Sequence, residues 1–150
     1  LSFVTDRRSK KISELRANPW VELCWYFPQT REQYRISGKM TVVKVDDQDS
    51  HLLQARETAW KRMSDGARSQ FAWPHPGLER GSDDSLFSPD PVTQESAPLE
   101  DFCLLVLDPA EVDHLNLKSN ERYLYKPGGP ENREEKDEAS ASWSRLRVNP

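Results

Sequence analysis

Three observations predict an α+β fold in which a mostly antiparallel, closed sheet carries the greater part of the chain. Apolar or alternating runs recur in both halves (LSFVT, WVELCWYF, DFCLLVL, RYLYK and WSRLRV), which is the pattern of strands. Helical spacing of apolar residues is confined to the first half, around residues 7–18 and 49–63. The 150 residues suffice for one domain spanning 1–150, with one core.

Taken in order, Leu1–Thr5 reads as a strand. Arg7–Asn18 follows as a helix with Ile12 and Leu15 on one face, Asp6 or Ser9 as N-cap and Asn18-Pro19 as its stop. Trp20–Phe27 is a strongly apolar strand, expected to be buried on both faces at its end. Residues 30–45 alternate through Arg31, Gln33 and Arg35 and continue as GKMTVVKV, a long strand with Gly38 as a bulge or kink. Asp49 and Ser50 cap a second helix whose stripe is Leu52, Leu53, Ala59, Trp60 and Met63. A short segment at Ser69–Trp73 is broken by Pro74-His75-Pro76-Gly77. Asp101–Leu107 is a buried strand ending at Asp108-Pro109, and Val112–Leu117, Arg122–Lys126 and Trp143–Val148 are the strands that follow. Residues 79–100 and 126–142 are rich in Pro, Gly, hydroxyl and charged residues and have neither period, so they read as long loops or disordered insertions.

Composition narrows the function classes. The 21 basic and 25 acidic residues leave a net charge of −4, which argues against a whole-surface nucleic-acid binder while allowing a local basic patch. No apolar run approaches the roughly 18–20 residues that span a bilayer, and no signal peptide is visible. Cys24 and Cys103 both lie in apolar segments, where a free Cys behaves as a small buried hydrophobe; a disulfide is allowed but not implied, and a reduced, intracellular protein is the default. With His51, His75 and His114 far apart, no metal-ligand spacing emerges.

One local feature points to a ligand. Arg7, Arg8, Lys10 and Lys11 crowd a helix N-terminus, where each cation costs about 0.3–1 kcal/mol against the helix dipole. An anion on that terminus would reverse the penalty, since backbone N–H groups, the Thr5 and Ser9 hydroxyls and the basic side chains would converge on a phosphate. The alternative is a solvated basic face. Arg31-x-Gln33-x-Arg35 puts three donors on one strand face, able to grip an anionic or heteroaromatic ligand or simply to face water. The five tryptophans read as core more readily than as a cofactor platform.

The run FVTDRRSKKISELRANPWVELCWYFPQTREQYRISG resembles the signature of the pyridoxamine 5′-phosphate oxidase-like FMN-binding proteins. That signature is a strand ending in Thr, a Ser-Arg/Lys-Lys helix start, an Asn-Pro stop, an aromatic strand, then Arg/Glu-x-Gln and a Gly. TDRRSKK, CWYFPQTREQYR, SQFAWPHPG and the terminal RVNP resemble the FMN-binding branch and not the vitamin-B6 enzyme itself. The likeness runs from Leu1 to about Gly77, then over 102–126 and 143–150, leaving the two loops uncovered.

The resemblance implies a split β-barrel with flanking helices, working in the cytoplasm as a homodimer with FMN at the subunit interface. It implies an FMN-dependent oxidoreductase acting on a small molecule, the alternatives being a non-catalytic flavin-binding module or a genuine pyridoxamine 5′-phosphate oxidase. Val4 and Thr5 would lie against the flavin or its ribityl chain. Lys10 and Lys11 would hold the phosphate, with Ser9 at the helix start and Arg8 compensating for an Arg that the family usually has where Lys10 stands. Gln33 would hydrogen-bond the isoalloxazine, and Arg122 in NERYLY would reach the cofactor, its alternative role being a strand-edge salt bridge. Where the B6 oxidase holds substrate phosphate with Tyr, Arg and Ser, this chain has Trp60, Ser64 and Arg68. The family's Arg-x-His pair over the substrate is here Lys118-x-Asn120. The resemblance also implies that the first strands of the family barrel are absent from this sequence.

Overall fold

The computed structural model describes residues 1–128 and 143–150. Strand β1 (Ser2–Asp6) leads into helix α1 (Lys10–Ala17), followed by β2 (Trp20–Phe27) and β3 (Glu32–Val43). Helices α2 (Ser50–Lys61) and α3 (Asp65–Ser69) come next, then 3₁₀ turns at Gln70–Ala72 and Asp84–Phe87. Strands β4 (Phe102–Asn116), β5 (Glu121–Pro127) and β6 (Trp143–Val148) complete the chain. Two compact units emerge, Leu1–Pro19 with Met40–Leu107 and Trp20–Lys39 with Asp108–Pro150. Both draw on both halves of the sequence, so no single cut separates them.

The first unit holds the buried core. β1 pairs antiparallel with the start of β4, from Ser2 opposite Val106 to Asp6 opposite Phe102. Ser9 caps α1 by accepting from the Lys11 N–H, and Asp49 caps α2 by accepting from His51 and Leu52, as short polar side chains do at helix starts. Trp60 and Phe102 are fully buried and meet edge to face at 5.0 Å, with Phe71 against Phe102 at 5.1 Å. Buried arginines tie the irregular chain to this core. Arg56 donates to the carbonyls of Phe102 and Leu99. Arg68 donates to those of Trp60, Met63 and Val92 and pairs with Asp65. The Trp60 indole N–H donates to Ser96. The 79–100 stretch, expected to be loop, contains one 3₁₀ turn and is held by these bonds.

In the second unit the strand order is β2-β3-β4-β5-β6, antiparallel at β2/β3, β4/β5 and β5/β6. This sheet is not closed, against expectation. β2 and β6 are its two ends, and β1 pairs with the start of β4 instead of bridging them. One face carries an aromatic row across the strands: Trp25 on Phe27 at 5.2 Å, Phe27 on Tyr34 at 5.8 Å, Tyr34 stacked on His114 at 4.4 Å, and His114 near Tyr123 at 6.4 Å.

Several other expectations change. The aromatic end of β2 is not buried: Trp25, Tyr26 and Phe27 are 50%, 46% and 37% exposed, and Cys24 is exposed while Cys103 is buried. Both cysteines are free thiols. β4 does not end at Asp108-Pro109, because β1 pairs with it only through residues 102–106 and β5 only through 112–116. Pro109 falls between those two ladders, where its missing N–H forfeits no bond to either. Toward β2, Gly38 makes no bulge, since β3 stays in register with β2 there. It is a point of close approach: a Cβ would lie 2.1 Å from the Asp108 carbonyl oxygen. α3 and the turn after it replace the short segment foreseen at 69–73. Of the loop foreseen at 126–142, residues 126 and 127 belong to β5, and 129–142 lie outside the described residues.

Candidate functional site

The four cations at the start of α1 have different fates. Arg7 pairs with Glu100. Arg8 folds back, its Nε and Nη2 donating to the two carboxylate oxygens of Asp6 at 2.9 and 2.7 Å and its Nη1 to the Trp73 carbonyl at 3.1 Å, with Asp101 3.1 Å away. Burial pushes the Asp6 carboxyl up, but the side-chain and backbone hydrogen bonds from Arg8 outweigh it and hold it below the usual range. The guanidinium of Arg8 is thus committed to joining β1, the Trp73 segment and the foot of β4.

Lys10 and Lys11 are exposed, and neither ammonium group has an ion-pair partner among the described residues. The first turn of α1 contains no acidic residue. Two uncompensated cations therefore stand on a positive helix end. Just upstream, Val4 is 43% exposed while Thr5 is 6% exposed, and the Thr5 hydroxyl makes no hydrogen bond among the described residues. A cavity of about 600 Å³ opens beside Asp6, walled by Phe71, Trp73, Pro74, His75 and Phe87.

In the second unit, pairing parity puts Gln33 and Arg122 on the same sheet face. Tyr34 stacks on His114, which is paired with Tyr123, so the residues next to them, Gln33 and Arg122, share the opposite face. Gln33 offers a side-chain amide with no hydrogen bond among the described residues. Arg122 donates from Nε and Nη2 to the two oxygens of Asp113, at 2.9 and 2.7 Å. The salt bridge read as its alternative is therefore present. The other strand donors do not converge with Gln33: Arg35 is held by Glu22 at 3.0 and 3.1 Å, and Arg31 sits in the turn before β3 with φ 60°.

The positions matched to a substrate are placed differently. Trp60 has no exposed surface and Arg68 is 2% exposed with its donors taken by carbonyls and Asp65. Both are interior residues, and neither offers a free polar atom to a ligand. Ser64 caps α3. Lys118 and Asn120 lie in the exposed β4–β5 turn, where Asn120 adopts φ 54° and Asn116 accepts from the Lys118 and Ser119 N–H groups.

Two features were not singled out in the sequence. One is Asp113, whose role depends on a diagonal reach across β4 and β5. The other is the His114–Glu32 contact at 3.1 Å under Tyr34, whose hydroxyl is pushed up by burial and then by Glu32. Among the described residues no group of His, Cys, Asp and Glu is arranged to hold a metal ion.

Taken separately, the first unit offers what the phosphate of a flavin nucleotide requires, unpaired ammonium groups at a helix start with an unpaired hydroxyl upstream, and the second offers an unpaired amide suited to a polar ring edge. Residues 1–44 match the family model described as pyridoxamine 5′-phosphate oxidase, FMN-binding domain. The crystal structure of a pyridoxamine 5′-phosphate oxidase-related, FMN-binding protein from Nostoc punctiforme superposes with TM-score 0.87 at 41% identity, covering 100% of this chain and 73% of that one. This chain belongs to the pyridoxamine 5′-phosphate oxidase-like FMN-binding family. Pyridoxine/pyridoxamine 5′-phosphate oxidase 2 of Arabidopsis thaliana is 42% identical over 123 residues, 81% of this chain and 61% of that protein. The pyridoxine/pyridoxamine 5′-phosphate oxidase of Anaeromyxobacter dehalogenans is 33% identical over 63 residues, 39% of this chain and 32% of that protein. The chain thus spans less than two thirds of the length of either curated relative. PhzG of Burkholderia lata, solved with tetrahydrophenazine-1-carboxylic acid, shares the fold at TM-score 0.69 and 18% identity. The described part is therefore the mostly antiparallel β architecture of the family's split barrels, with three helices.

Proposed function

We propose that this chain is an FMN-binding flavoprotein and an FMN-dependent oxidoreductase acting on a small molecule. The observation that carries the reading is the start of α1, where Lys10 and Lys11 are unpaired on a capped helix terminus free of acids. Lys10 and Lys11 hold the phosphate, joined by Ser9, while Arg8 acts by fixing the turn that presents them. Val4 and Thr5 lie along the ribityl chain, and Gln33 and Arg122 meet the ring. When bound, the flavin supplies hydride acceptance and transfer to an electron acceptor; the protein's part is to grip, orient and hydrogen-bond it. Titration of the purified protein with FMN, followed by flavin fluorescence, tests the reading, and failure to bind FMN refutes it.

The homodimer belongs to the same proposal. Among the described residues of the second unit only Gly38 is buried, and the side chains of its strand segments are part-buried or exposed. A sheet covered this incompletely gains limited hydrophobic stabilisation by itself, and a second copy is the partner we assign. Flavin content should then fall as the protein is diluted through its dimer dissociation range. A cytoplasmic location is consistent with two free thiols, and no helix of the described residues is long and apolar enough to cross a membrane.

A second reading, oxidation of pyridoxamine 5′-phosphate, is favoured by the names of the two curated relatives. The interior positions of Trp60 and Arg68 count against it. Release of pyridoxal phosphate and hydrogen peroxide by FMN-loaded protein would decide for it.

A further inference from the structure

We propose that Asp113 is a positioning residue for the flavin ring, acting through Arg122. The inference rests on the assignment of Arg122 to the cofactor. Directly across the β4–β5 ladder Arg122 faces Leu115, while Asp113 faces Leu124. To reach Asp113 the guanidinium must therefore lean along the sheet by one rung on its own face, away from a perpendicular stance. Both contacts are charge-assisted and come from Nε and Nη2 to the two oxygens of one carboxylate. Such a fork fixes the plane of the guanidinium as well as its place. The Asp113 side chain is 13% exposed and that of Arg122 34% exposed, so the carboxylate is the anchored partner and the arginine the presented one.

What the fork leaves over is also informative. Nη1 has no hydrogen bond among the described residues, and it is the edge of the guanidinium still able to donate. Gln33 stands on the same sheet face, with β4 between its strand and that of Arg122, about 10 Å away at two strand spacings. Two unpaired donors on one face at that separation suit the polar edge of a fused heteroaromatic ring system. Glu111, the next carboxylate along β4 on this face, is already paired with Lys126 at 2.7 Å, so Asp113 alone is free to orient Arg122.

The test is FMN affinity in native protein and in Asp113→Asn, Asp113→Glu, Arg122→Ala and the Asp113→Asn/Arg122→Ala double variant, with the visible spectrum of the bound flavin recorded for each. Asp113→Asn should weaken FMN binding roughly ten-fold and shift the flavin band, as expected for a charged contact made through an unfixed donor. Asp113→Glu should recover most of the loss, and the double variant should bind no worse than Arg122→Ala alone. If Asp113→Asn binds FMN as tightly as native protein, or tighter, while Arg122→Ala is weakened, Asp113 competes with the flavin instead of positioning for it and the inference fails. If Arg122→Ala binds FMN like native protein, the assignment of Arg122 itself is overturned, and the inference with it.

Discussion

Reversing the charge of Lys11 should move stability and flavin binding in opposite directions. In Lys11→Glu a cation leaves the N-terminus of α1 and an anion takes its place, in a first turn that has no acidic residue. Each half of that change is worth about 0.3–1 kcal/mol of helix stability, so the apoprotein should gain about 1 kcal/mol, or roughly 2–4 °C in Tm for a chain of this length. Lys11 has no described ion-pair partner to lose in exchange. Binding should respond the other way. A hydrogen bond to a charged phosphate contributes about 1.5–3 kcal/mol, and the new carboxylate adds repulsion of at least about 1 kcal/mol at contact distance. The sum corresponds to roughly a hundred-fold or greater loss of FMN affinity. Thermal melts of the apoprotein and a fluorescence titration with FMN give both quantities on one sample. A variant that binds FMN within a few-fold of native protein would refute the phosphate assignment, and a variant that melts well below native would show Lys11 to be structural.

Other expected outcomes follow from contacts of known geometry. Gly38→Ala should cost about 3 kcal/mol or more in urea unfolding, since its Cβ would overlap the backbone of Asp108 at 2.1 Å and backbone cannot swing aside; a change under about 0.5 kcal/mol contradicts this. Arg68→Ala should lose about 3 kcal/mol by orphaning the carbonyls of Trp60, Met63 and Val92, and limited proteolysis should then cut near residues 90–96 faster than in native protein. Asp6, held below the usual carboxylate range by Arg8 despite burial, contributes stability that is present above its unfolded pKa and lost as pH falls through its folded value. Unfolding midpoints should therefore decline below about pH 4 in native protein and decline less steeply in Asp6→Asn.

The elements with local signals were legible in the sequence. Ser9 and Asp49 cap the helices they precede, and Trp20–Phe27 and Trp143–Val148 match the observed strand bounds. What local pattern could not give was which face of a strand is covered. WVELCWYF is apolar enough for a buried strand, yet it ends the sheet with its aromatics half open. The same limit hid the continuity of β4, whose residues 102–106 pair with β1 and 112–116 with β5 on either side of the Asp108-Pro109 break signal. At the candidate site, the excess of cations before α1 was visible, but their division was not: Arg8 turns to Asp6 and Lys10 and Lys11 do not. Trp60 and Arg68 could be placed near a substrate by motif, whereas their burial follows from Phe102 and Val92, residues remote in sequence.

The most direct measurement is a parallel titration of the purified protein with FMN and with riboflavin, which differ only in the phosphate. If Lys10, Lys11 and the α1 terminus hold that phosphate, FMN should bind with a perturbed visible spectrum and riboflavin at least about ten-fold more weakly. Equal affinity for the two, or binding of neither, would contradict the account.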